Sequence, residues 1–178
     1  PAGYHARSRE LCKKYDIVYI SDETVTGFGR LGHWFASKEV FNIQPDIITC
    51  AKGLTSGYLP MGAAIISDSL IDGIKNTEGS QPFTNGYTYS CHPVAAKAAL
   101  TNINIISNEN ILGHVQEISP HFQTRLKAVG EKYDIIGDAR GLGLLGCLEG
   151  LGSKSTSEEA RLKIDTEFGQ LMDDACEK

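Results

Sequence analysis

The sequence predicts an α/β chain that passes into an α+β part, and three observations predict it. First, three short apolar runs, Ile17–Ile20, Ile47–Cys50 and Gly62–Ile66, each stop at polar or turn residues. Continuous apolar runs of that length read as strands buried on both faces of a parallel sheet. Second, from Pro93 onward apolar residues recur every three or four positions, the spacing of amphipathic helices. Third, short apolar runs return at Ile135-Ile136 and Leu142–Leu148.

In chain order, Glu10–Tyr15 reads as the end of a helix, with Lys13 and Lys14 in its last turn. Ser21-Asp22 stops the first strand, and a Gly-rich turn follows at Thr26-Gly27-Phe28-Gly29-Arg30. Pro45-Asp46 opens the second strand, which ends at Ala51-Lys52-Gly53. The third closes at Ser67-Asp68 and precedes a short helix through Leu70, Ile71 and Ile74. Pro93 suits the first position of a helix running to about Ile106. A second helix carries Ile111, Val115, Ile118, Phe122, Leu126 and Val129, with a kink expected at Pro120. A last helix is expected from Ser157, with Ile164, Phe168, Leu171, Met172 and Ala175 on one face. A boundary near residue 107 divides residues 1–107 from residues 108–178.

Composition narrows the function classes. Hydrophobic residues make up 41% of the 178 and charged residues 22%, enough for a real core. Net charge is -5 and the basic residues are scattered, which argues against a nucleic-acid partner. No apolar run approaches the length a membrane span needs. Cys12, Cys50, Cys91, Cys147 and Cys176 form no CxxC pair, and their odd number argues against a disulfide framework. A reducing cytoplasm is therefore expected, and the five histidines show no zinc-ligand spacing with these cysteines. The opening Pro1-Ala2-Gly3-Tyr4 lacks a Met and suggests a cut, a processed start or a missing first half.

Two polar residues stand where apolar strands end: Asp22 and Lys52. Ligands of open α/β sheets bind at the carboxyl ends of strands, so both point to one edge. An acid and an amine there could serve acid–base work, a salt bridge or a covalent cofactor. Taken singly, such residues more often cap a turn or face solvent.

The surrounding words resemble one family. Asp22-Glu23-Thr24-Val25-Thr26-Gly27-Phe28-Gly29-Arg30 is similar to the DE-x-x-TGFGR segment of class III aminotransferases. Pro45–Ile48 followed by Ala51–Gly62 resembles the segment bearing their pyridoxal 5'-phosphate (PLP) lysine, and Gly86–Pro93 resembles their GYTYSGHP segment. The three occur in the family's order, with Lys52 thirty positions after Asp22 and Thr88 thirty-six after Lys52. The resemblance implies fold type I, the aspartate aminotransferase-like PLP transferase fold: part of the large domain, then the start of a C-terminal α+β small domain.

It also implies roles. Lys52 would form the Schiff base with PLP and then shuttle a proton. Asp22 would keep the pyridine nitrogen protonated. Thr24 would lie against the ring, where the family usually has Val. Tyr87 and Thr88 would bind the PLP phosphate of a neighbouring subunit, which implies a homodimer or higher assembly. Cys91 stands for the usual Gly and Asn85 for the common His. Within the family the chain looks most like enzymes that move amino groups from ω-amino acids or diamines to keto acids such as pyruvate. Family chains are well over twice as long, so the resemblance covers a central and C-terminal part, and the segment alone is expected to be inactive. A non-catalytic interaction module that keeps these fold elements is the alternative, and another PLP reaction would share the same residues.

Gly141-Leu142-Gly143-Leu144-Leu145-Gly146 satisfies the dinucleotide pattern GxGxxG. That pattern needs a helix opening at its third glycine, whereas Leu144–Leu148 reads as a strand. Tight turns in the smaller domain are the expected use of these glycines.

Overall fold

The computed structural model describes residues 2–76, 79 and 85–150. Helix α1 (Tyr4–Lys14) leads into strand β1 (Ile20–Asp22), a long loop, the single turn α2 (Ala36–Glu39) and strand β2 (Ile47–Cys50). One turn of 3-10 helix at Lys52–Leu54 precedes β3 (Ala63–Ile66) and α3 (Asp68–Lys75). Helices α4 (Pro93–Asn108) and α5 (Ile111–Lys132) follow, then β4 (Ile136–Leu142) and β5 (Leu145–Gly150). The chain falls into two compact units, the first Pro1–His114 and the second beginning at Val115, within α5. The last helix expected from Ser157 lies outside the described residues.

The first unit holds a three-stranded sheet in the order β1-β2-β3. β1 and β2 are parallel, with Ile20 beside Ile47 and Asp22 beside Thr49. The ladder starts at Ile20 rather than Ile17 because Val18 would face Pro45, which has no N–H to donate. Tyr19 instead gives its N–H to the Asp46 carboxylate at 2.8 Å. β3 runs antiparallel to β2, which corrects the all-parallel expectation. The twelve residues between Cys50 and Ala63 hold only a 3-10 turn, and a parallel return would need a crossover helix. The strands are also less covered than their composition suggests, since Ile17, Val18 and Ile65 are exposed and Ile20 is 57% exposed.

The core of this unit is formed by Leu31, Ala36, Ile43, Cys50, Leu54, Ala95, Ala99 and Ile106. Arg9 on α1 forks onto Asp46 with contacts of 2.6 and 2.7 Å, tying α1 to the start of β2. In the second unit β4 and β5 form an antiparallel hairpin closed by Gly143-Leu144. Gly143 sits at φ 59°, the left-handed conformation such two-residue turns require. Gln123 of α5 donates its amide to the carbonyls of Gly143 and Leu145, at 2.8 and 3.0 Å. The GxGxxG glycines thus shape a hairpin, and β5 continues beyond Gly146 where a dinucleotide site would open a helix. α5 runs on through Pro120.

Candidate active site

Asp22 is the last residue of β1, and Lys52 lies two residues beyond the end of its parallel neighbour β2. The strand pairing therefore delivers an acid and an amine to one edge of the sheet. The Asp22 carboxylate accepts the Thr24 N–H at 3.0 Å. The Thr24 hydroxyl and N–H, then the Thr49 hydroxyl and the Lys52 charge, hold it below the usual carboxylate range. Asp22 is exposed and stays ionised at any pH near neutrality.

Lys52 is exposed as well, and its backbone is unusual. Its φ is 39°, a left-handed conformation that side-chain-bearing residues seldom adopt. Such conformations persist only where the surroundings enforce them, and they gather at functional sites. The following glycine has no room for a side chain. A Cβ on Gly53 would lie 2.9 Å from the Phe28 Cβ. The amine-bearing turn and the TGFGR loop are thus in direct contact.

That loop is anchored by Glu23, which the sequence reading passed over. Glu23 is 1% exposed. Its carboxylate accepts the Thr26 hydroxyl at 2.8 Å and the N–H groups of Ala36 and Ser37 at 2.7 Å each. Its own N–H goes to the Thr49 carbonyl and its carbonyl takes the Gly27 N–H, at 2.8 and 2.9 Å. Phe28 packs edge-on to Phe35, with ring centroids 5.5 Å apart. A polar residue adjoining Asp22 and three before Thr26 was the available signal, but its partners at 36 and 37 were not.

Thr24 belongs to the same group through its contacts with Asp22. Tyr87 and Thr88 do not. They occupy an exposed turn closed by Tyr87 N–H to the Ser90 hydroxyl at 3.0 Å, and Tyr87 is 80% exposed. Among the described residues no hydrogen bond joins either to Asp22, Thr24 or Lys52. Nor does any cluster of three His, Cys, Asp or Glu among them offer a metal site.

The aminotransferase class-III family profile matches residues 1–172. The chain belongs to the class III aminotransferases. It is 41% identical to a putrescine–pyruvate aminotransferase of Pseudomonas aeruginosa, over 99% of this chain and 37% of that protein. It is 44% identical to gamma aminobutyrate transaminase 1, mitochondrial, of Solanum lycopersicum, over 89% of this chain and 30% of that one. The chain therefore spans about a third of the length of these relatives. Among solved structures, a PLP-bound amine transaminase from an uncultivated Pseudomonas species superposes with a TM-score of 0.85 at 37% identity, covering 96% of this chain and 37% of that chain. Taurine:2-oxoglutarate aminotransferase from Bifidobacterium kashiwanohense, in complex with PLP and glutamate, gives 0.85 at 31% identity, over 99% and 39%. The fold is that of the PLP-dependent transaminases, fold type I, and PLP is the cofactor of the family. The residues present fit it: an amine open to solvent on an enforced turn, and a carboxylate held ionised beside it.

Proposed function

We propose that these residues supply the lysine and carboxylate of an aminotransferase that moves an amino group from an ω-amino acid, diamine or similar amine to a keto acid such as pyruvate. The observation that carries the reading is the pairing of β1 with β2, which sets Asp22 and Lys52 at one strand edge with the Lys52 charge acting on Asp22. PLP, when bound, supplies an aldehyde that bonds amines and a ring that accepts electrons. Lys52 would bond the cofactor through Nζ and be displaced by the incoming amine. Its freed Nζ would then take a proton from the substrate carbon and return it on the other side of the transfer. The Asp22 carboxylate would hold a proton on the ring nitrogen, which its own lowered acidity range favours. Thr24 would keep Asp22 in place and lie against the ring.

Tyr87 and Thr88, exposed on their turn, would reach the phosphate of a neighbouring subunit, so we propose a homodimer or larger assembly. The amine class is supported by likeness to the putrescine–pyruvate enzyme and the gamma aminobutyrate transaminases. The four described cysteines are free thiols, which suits the cytoplasm as the proposed compartment. The test is to assay the full-length enzyme with putrescine, γ-aminobutyrate and an α-amino acid against pyruvate. Alanine formation from the terminal amines, lost in Lys52→Ala, is expected. Turnover of the α-amino acid alone would overturn the substrate class.

A further inference from the structure

Helix α4 presents Ala95, Ala99 and Ile106 as its buried stripe. Asn102 falls on the same stripe, four residues before Ile106 and three after Ala99, where the pattern calls for an apolar side chain. Its amide turns the break to use. Nδ2 donates to the Gly53 carbonyl at 2.7 Å and to the Leu54 carbonyl at 3.2 Å, across nearly fifty residues of sequence.

Those carbonyls belong to the turn that begins at Lys52. Its internal hydrogen bonds lengthen along the chain: Leu54 N–H to Ala51 at 2.9 Å, Thr55 N–H to Lys52 at 3.3 Å, Ser56 N–H to Gly53 at 3.4 Å. The last two are longer than the usual N–H···O bond, so the turn's own bonds tie it less firmly toward Ser56. The half-buried Asn102 amide, carried on a sixteen-residue helix, adds two donors at the Gly53 and Leu54 carbonyls that follow the left-handed Lys52.

We infer that Asn102 is a positioning residue for the Lys52 amine. It touches neither cofactor nor substrate and acts by fixing the backbone from which the lysine projects. The inference rests on Lys52 being the amine that bonds PLP.

The test uses the full-length holoenzyme with two replacements of similar size that lack the donors, Asn102→Leu and Asn102→Asp. Loss of positioning at a distance from the chemistry lowers kcat by about tenfold to a hundredfold. KM for the amine stays within about twofold, since the substrate's own contacts are untouched. The pH at which the visible absorbance of bound PLP changes should shift by about half a unit or more, because the environment of Nζ has changed. A purely structural role would lower stability without moving that midpoint. Hydrogen exchange in the PLP-free protein gives a second readout. Leu54–Ser56 amides should exchange about tenfold more slowly in the unmodified protein than those of the open Tyr87–Ser90 turn, and lose that protection in both variants. Should the variants fail to fold, absence of protection in the unmodified protein overturns the inference by itself. Borohydride mapping of the unmodified enzyme separates the two readings. A label on another lysine defeats the assignment of Lys52, whereas a label on Lys52 with kcat, midpoint and exchange unaltered in both variants defeats Asn102 alone.

Discussion

Oε1 of Glu23 accepts the backbone N–H of Ser37 at 2.7 Å, in a place almost closed to water. With Oε2 on Ala36 and Thr26, one carboxylate satisfies two otherwise orphaned donors at the start of α2. Glu23→Ala leaves those N–H groups buried and unpaired. A loss of about 2–4 kcal/mol in urea unfolding is expected. Glu23→Gln keeps one acceptor but sets an amide N–H against a backbone N–H, and should lose about 1–2 kcal/mol. Equal stability of all three proteins would show that the loop does not depend on this anchor.

Asp22→Asn removes the charge while keeping the shape and the Thr24 contact. Transamination by the full-length enzyme should fall about tenfold or more with PLP still bound. A rate within about threefold of the unmodified enzyme would remove Asp22 from the role assigned to it.

Borohydride reduction followed by peptide mapping should place the pyridoxyl group on Lys52. Lys52→Ala should give no such label and no turnover. The group on any other lysine would sink the assignment.

Arg9 holds the Asp46 carboxyl below its usual range, and the Tyr19 N–H adds to the effect. A carboxyl whose folded value is depressed stabilises the fold above its unfolded value, ordinarily 3.8, and stops doing so as pH falls through the lower folded one. Acid unfolding should therefore steepen below about pH 4, and Asp46→Asn should blunt that part of the profile. At neutral pH the same change should cost about 1–3 kcal/mol, because Arg9 would be left half-buried without its partner. An unaltered acid limb would show that other carboxylates govern it.

The 178 residues expressed alone should show no transaminase turnover with added PLP. Their described phosphate candidates, Tyr87 and Thr88, have no hydrogen bond to the Lys52 group, and Ile17, Val18, Ile20 and Ile65 stand open to water. Concentration-dependent association in sedimentation is expected for the same reason. Alanine formation that disappears in Lys52→Ala would refute the expectation.

Asp22 and Lys52 were legible in the sequence because strand composition is local. An apolar run announces its own end, and the residue standing there is visible without any knowledge of the fold. The direction of β3 was less open to reading, although the lack of helix-forming length between Cys50 and Ala63 was the usable clue. The anchoring roles of Glu23 and Asn102 were illegible for a different reason. Each looks like an ordinary polar residue until the chain brings up backbone groups thirteen to forty-nine positions away. Hydrogen bonding to main chain leaves no trace in the identity of the partner residue, so no pattern of side chains records it.

The contact between Gly53 and Phe28 gives the site a fixed gauge. With 2.9 Å separating a would-be Cβ from the Phe28 Cβ, the arm carrying the amine and the arm carrying the carboxylate are set to one spacing, as jaws on a single jig. Neither can be retuned alone. A redesign seeking room for a bulkier ring could not open the gap by enlarging residue 53, since even one methyl would collide with the Phe28 Cβ. Because the obstructing atom is the Phe28 Cβ itself, only glycine at position 28 would clear it, and the aromatic packing on Phe35 would be lost with the ring.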